Sequence, residues 1–204
     1  MKPKYAILLD GGFITKVLHK KLNKFPDADD VETECKRISA LPVLADHQLL
    51  RIYFYDAPPS TGTLKNPIDK STVDLSKTSI YSQHESLLDT LELRPNFALR
   101  QGTTLSRGWK LGRNAMRDMA KNPRTPTAQD FVPEILQKGV DLRIGLDIAL
   151  LSLRGLVSVI VIATGDSDLV PAFKFARREG VRMYLDHMGL NVRRELKAHS
   201  DLVL

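Results

Sequence analysis

The chain has 204 residues, 43% hydrophobic and 26% charged, with 30 Lys and Arg against 24 Asp and Glu. That composition excludes a disordered or collagen-like chain, no run approaches the ~18 apolar residues of a membrane span, and a single cysteine, Cys35, excludes an internal disulfide and a cysteine-built zinc site. The net charge of +6 favours an anionic partner, nucleic acid first, while the lone cysteine and the lack of a signal-peptide pattern predict a cytoplasmic location away from membranes.

Residues 5–9 (YAILL) form a short continuous apolar run, the pattern of a parallel strand buried on both faces. The run stops at Asp10-Gly11-Gly12, and residues 13–22 read as an amphipathic helix. A second helix is predicted from Asp29 or Asp30, with Val31, Cys35, Ile38 and Ala45 at helical spacing and its end clouded by Pro42. Residues 49–55 (LLRIYFY) give a second strand, 60–79 a polar loop, 80–93 a helix and 97–100 a third strand. The stretch 102–137, with Pro123, Pro126 and Pro133, is irregular and reads as a basic insertion with some helix of its own. Beyond it come a helix over 141–154 closed by Gly155, the strand 157–163 (VSVIVIA), a helix over 168–178, a fifth strand at 181–185 and a last helix at 192–199. Strands alternating with helices predict one α/β domain over 1–204, a central parallel sheet of about five strands flanked by helices.

In such sheets ligands gather beyond the carboxyl ends of the strands, where strand order reverses. Asp10 follows the first strand, and Asp166 and Asp168 follow the strand 157–163. If those strands are neighbours, three carboxylates share a crevice. Asp141 and Asp147 lie in the helix leading into the second strand, six residues and about 120° apart around its axis. They share a focus only if Asp141 precedes the first turn. Asp147, set between Leu146 and Ile148 on an apolar helix, is therefore the preferred member, since an unpaired carboxylate there is expensive. Each of Asp10, Asp141 and Asp168 also has a plain reading as a helix cap. Converging carboxylates repel one another, and a hard divalent cation, Mg²⁺ or Mn²⁺, removes that repulsion. The chemistry such a centre supports is hydrolysis of a phosphodiester by a metal-activated water. Asp10, Asp147, Asp166 and Asp168 are the expected ligands.

Three blocks carry a resemblance to a known family: Leu9-Asp10-Gly11-Gly12-Phe13; Lys138-Gly139-Val140-Asp141 with Gly145-Leu146-Asp147-Ile148-Ala149; and Ala163-Thr164-Gly165-Asp166-Ser167-Asp168-Leu169-Val170-Pro171. In these the chain resembles the NYN domain family, a branch of the PIN-like ribonuclease superfamily, and within it the bacterial LabA-like group. The resemblance implies a PIN-like three-layer fold and a metal-dependent endoribonuclease. It places catalytic positions at Asp10, Asp141, Asp147, Asp166 and Asp168, and Lys138 on substrate phosphate. Thr164 and Ser167, inside the third block, are further candidate substrate contacts. Leu169 stands where phenylalanine is common in the family, and Gly12 where many relatives carry asparagine. Some members of the family act as regulators or binding modules, so a non-cleaving RNA-binding module is the second reading. A phosphatase-like enzyme is disfavoured, because no DxDxT-type nucleophile follows the first strand.

Residues 100–124 hold seven Arg or Lys and one acid, Asp118. Lys110, Arg113, Arg117, Lys121 and Arg124 are spaced 3, 4, 4 and 3, one face of a helix, with Leu111, Ala115 and Met119 opposite. Trp109 opens the segment and could stack on an unpaired base. This stripe is read either as a grip for single-stranded RNA beside the acidic crevice or as the solvated face of an insertion helix with Trp109 in the core. The five histidines, at 19, 47, 84, 187 and 199, show no ligand spacing. A second copy of the chain is the remaining expected partner.

Overall fold

The computed structural model describes residues 2–204. In chain order its elements are β1 (Lys4–Asp10), α1 (Gly11–Leu22), α2 (Ala28–Ser39), β2 (Gln48–Asp56), β3 (Thr63–Lys65), β4 (Thr72–Asp74), α3 (Ser79–Glu92), β5 (Phe97–Gln101), β6 (Thr103–Leu111), α4 (Arg113–Lys121), β7 (Phe131–Lys138), α5 (Val140–Leu153), β8 (Val159–Ala163), α6 (Val170–Arg178), β9 (Arg182–Asp186), α7 (Arg194–Ala198) and β10 (Leu202–Val203). Six strands form one parallel sheet in the order β10-β9-β8-β1-β2-β5. The five predicted parallel strands are all present. The sixth, β10, is too short to leave a pattern in the sequence.

The apolar runs explain the layers. Along β1 successive side chains alternate faces: Tyr5, Ile7 and Leu9 pack with α1, α2 and α3, while Ala6 and Leu8 pack with α5, α6 and Leu196 of α7. Both faces are buried, so β1 and β8 read as unbroken hydrophobic runs. The result is a three-layer, Rossmann-like α/β fold. No helix among the described residues is long and apolar enough to cross a membrane.

Two stretches differ from the sequence expectation. The loop over 60–79 contains the small β3–β4 hairpin. The insertion is an antiparallel hairpin, β6 with β7, carrying α4 at its tip. Pro133 is accommodated at a register shift opposite Trp109, and Pro123 and Pro126 lie in the connection after α4. The hairpin rises from the carboxyl edge of the sheet, where the Gly102 N–H donates to the Asp56 carbonyl.

Candidate functional site

Strand order reverses at β1. The chain moves from β1 to β2 and β5 on one side, and later to β8, β9 and β10 on the other. The crevice between the ends of β1 and β8 is therefore the topological ligand position. Leu9 pairs with Ala163, which sets Asp10 beside Thr164.

Asp10 serves two purposes there. As the N-cap of α1 its Oδ1 accepts the Phe13 N–H at 3.1 Å. Its Oδ2 accepts the hydroxyl of buried Thr164 at 2.9 Å, and the Thr164 oxygen in turn accepts the Asp166 N–H at 3.1 Å. Asp166 Oδ1 then accepts the Asp168 N–H at 2.9 Å, capping a 3-10 turn over Ser167–Leu169. One chain of hydrogen bonds thus ties the end of β1 to the acidic loop after β8. Two glycines permit this closeness. A Cβ on Gly11 would fall 2.6 Å from the Tyr55 carbonyl oxygen and 2.8 Å from an Asp56 carboxylate oxygen, and one on Gly165 would fall 2.9 Å from the Phe13 ring.

The electrostatics identify the members of the cluster. Burial pushes the Asp10 carboxyl above its ordinary range, and the charges of Asp141 and Asp166 push it the same way, against the bonds from Phe13 and Thr164. Asp141, in the first turn of α5, is likewise raised by burial and by Asp166 and Asp168. Asp10 thus feels the charges of Asp141 and Asp166, and Asp141 feels those of Asp166 and Asp168, while Asp141 and Asp168 open to solvent.

Asp147 is not among them, which corrects its place in the expected ligand set. Its Oδ2 accepts the Tyr55 hydroxyl at 2.9 Å and Arg100 Nε at 3.0 Å, and the Arg100 guanidinium also lies 5.4 Å from the centre of the Tyr53 ring. The helical angle separates Asp147 from Asp141 as computed from the sequence, but the member that reaches the crevice is Asp141. Thr164 is also corrected: its hydroxyl is buried between Asp10 and Asp166 and does not face a substrate.

The basic segment is rearranged in the same way. Lys110 belongs to β6 and lies 3.8 Å from Glu134. Arg124 lies past the helix, where it forks onto Asp130 at 2.6 and 2.7 Å and pairs with Asp118. That clamp holds Asp130 well below the usual carboxylate range. Trp109 is half-buried in the hairpin with its indole N–H buried and unpartnered, and it belongs to neither face of the core. Arg113, Arg117 and Lys121 remain, exposed at i, i+4 and i+8 on α4, a helix that buries no residue. The helix stands at the tip of the β6–β7 hairpin, and at about 3.3 Å per residue β6 can carry it up to roughly 25 Å from the sheet edge. Lys138, at the base of β7, is exposed and follows Gln137, whose side chain turns to Asp56, so it leaves the strand by the opposite face; Ser167 is half-buried in the acidic loop.

The sequence reading missed one group at the same edge. Asp56, the last residue of β2, is buried; its oxygens accept Gln137 Nε2 at 2.6 Å and the Ala57 N–H at 2.7 Å and bond His84 Nε2 at 2.9 Å. The other end of the Gln137 amide reaches toward Asp10: Gln137 Oε1 and Asp10 Oδ1 lie 3.6 and 3.7 Å from where a Gly12 Cβ would be. His84 and Gln137 also line an apolar groove of about 390 Å³ with Pro58, Tyr81 and Ile135. The available signal was position alone, since Asp56 follows its strand as Asp10 follows β1.

Among the described residues no three His, Cys, Asp or Glu side chains converge as a ready-made metal cage. The donors nonetheless suit one class of ion. All four are carboxylates, two of them made costly to ionise by their surroundings, and Mg²⁺ and Mn²⁺ are commonly held by one or two carboxylates with the rest of the shell left to water. Fold and crevice together define a parallel α/β protein with an acidic cleft at its switch point. No family model and no curated protein matches the sequence. The fold is similar to that of a Vibrio parahaemolyticus protein of unknown function, with a TM-score of 0.54 and 13% identity over 100% of this chain and 92% of that one. That likeness concerns the fold alone.

Proposed function

We propose that the chain is a divalent-cation-dependent endoribonuclease of the NYN, LabA-like type, acting on single-stranded RNA. The observation that carries this reading is the hydrogen-bonded run Asp10–Thr164–Asp166–Asp168 across the β1–β8 crevice, with the Asp141 charge close enough to help raise the Asp10 carboxyl. Such a cluster is costly to the fold unless a cation joins it. Asp10 and Asp141 would hold the ion, with Asp166 and Asp168 on its open side. A bound Mg²⁺ or Mn²⁺ supplies polarisation of a phosphoryl oxygen and a lowered pKa for water. The chain supplies the rest. Thr164 fixes the carboxylate of Asp10, and the exposed cations of the hairpin, Lys138 at its base and Arg113, Arg117 and Lys121 at its tip, hold the RNA backbone.

A non-cleaving RNA-binding module is the second reading, favoured by the α4 cations standing on a separate, wholly unburied helix at the hairpin tip. One assay separates the two. Purified protein is incubated with mixed single-stranded RNAs in Mn²⁺ or in chelator, beside Asp10→Asn and Asp166→Asn. Cleavage by the wild type in Mn²⁺ alone, lost in both variants, is the expected result. Binding without cleavage selects the module, and cleavage retained by both variants removes the acids from the account.

A further inference from the structure

The helix α5 is apolar on both sides. Ile144, Ile148 and Leu151 are buried against the sheet, as its packing requires. The outward side is also leucine: Leu142 is 65% exposed, Leu146 59%, Leu150 40% and Leu153 63%. A helix at the surface of a soluble domain ordinarily turns charged residues outward, as α6 does with Lys174, Arg177 and Arg178. Four leucines at these exposures leave on the order of 400 Å² of apolar surface on one helix, within the range at which a patch marks an interaction site and about half of what one partner buries in a standard interface.

A second observation falls on the same helix. Gly145 is a glycine in a helix interior, an unfavourable choice, and a Cβ there would meet nothing within 4 Å. The fold of the single chain does not call for it. A bare backbone at that point does allow another helix to approach closely.

We propose that α5 is the two-fold interface of a homodimer, with two copies of the helix packed antiparallel. The seam itself selects a second copy as the occupant. Leu142, Leu146, Ala149 and Leu153 are spaced 4, 3 and 4, the spacing of a helix–helix seam. Under a two-fold axis between residues 147 and 148, Leu142 faces Leu153 of the second copy and Leu146 faces its Ala149. Large meets small at the centre, and every contact recurs in reciprocal form, as an isologous interface requires. No charged residue lies on the seam. Asp141 directly precedes Leu142, so the dimer sets two acidic crevices about 20 Å apart along the helix pair. The interface does not depend on the ribonuclease reading.

The test is the mass of the full chain by light scattering and sedimentation, from micromolar to sub-millimolar concentration. The wild type is expected at twice 22.9 kDa. The double variant Leu146→Glu, Leu153→Glu is expected at the monomer mass with an unchanged circular dichroism spectrum, since both side chains are more than half exposed in one chain. A second variant, Leu142→Cys with Leu153→Cys, about 16 Å apart along one helix but opposed across the proposed seam, is expected to give a covalent dimer with a short bismaleimide; buried Cys35 does not compete. A monomeric wild type throughout that range overturns the proposal. So does a dimer that survives both glutamates, or one that the cysteine pair fails to link.

Discussion

Replacing Asp10 by Asn keeps the shape of the side chain and the cap bond from the Phe13 N–H while removing one charge from the crevice. The amide oxygen still accepts the Phe13 N–H, and the amide nitrogen can donate to the Thr164 oxygen, whose own hydroxyl then turns away. In the folded chain the Asp10 carboxyl is raised above its ordinary value, even with both stabilising bonds counted. Ionised Asp10 therefore costs the fold stability. The sign follows from linkage: below the unfolded pKa both states are protonated and there is no cost, and the cost grows as pH rises through the raised folded value. Unit charges 4 Å apart repel by about 4 kcal/mol at an effective dielectric of 20 and by about 1 kcal/mol in water. Asp141 and Asp168 open to solvent, so the lower figure is the appropriate one. A gain of about 1 kcal/mol raises the melting temperature of a chain of this size by about 2–4 °C. In chelator at neutral pH, Asp10→Asn should melt higher than the wild type by that amount, and the difference should shrink as pH falls toward about 4. Scanning fluorimetry measures it. A variant that melts lower at neutral pH would show that Asp10 acts first as a cap and that the repulsion among the acids is unimportant.

Other outcomes follow from the same contacts. Asp56→Ala removes the buried acceptor shared by the Gln137 amide, the Ala57 N–H and the His84 ring, and should cost about 1–3 kcal/mol, as leaving buried donors without a partner does. A denaturant midpoint that barely moves would show that the network bears no load. Substituting Arg113, Arg117 and Lys121 together with Ala should leave thermal stability unchanged, because α4 buries nothing. The same change should reduce the salt dependence of RNA binding by about 2 in the log–log slope. An unaltered slope, measured by fluorescence anisotropy across salt, would place the RNA elsewhere.

The layers were legible because they rest on local pattern. The runs YAILL and VIVIA have no polar face, so both had to be central strands, and their adjacency brings Asp10 and Asp166 together. The partner of Asp147 was not legible. Helical angle shows which way a side chain leaves α5, but Tyr55 lies 92 residues and Arg100 lies 47 residues away along the chain, on strands whose neighbours are set by the whole sheet. The β6–β7 arm was hidden by its composition. A two-stranded ribbon outside the core lacks an apolar run, and the even spacing of basic residues across β6, α4 and the following connection imitates one helix. Asp56 could have been found, since the rule that singled out Asp10, an acid directly after a buried strand, applies to it equally.

The central claim is that four aspartates from separate stretches of chain form one cation-holding crevice. Calorimetric titration of Mn²⁺ into the full chain, with Asp10→Asn, Asp141→Asn and Asp147→Asn alongside, tests it most directly. Saturable binding is expected for the wild type and for Asp147→Asn, and its loss in Asp10→Asn and Asp141→Asn. Equal binding by all four proteins, or no binding by the wild type, would contradict it.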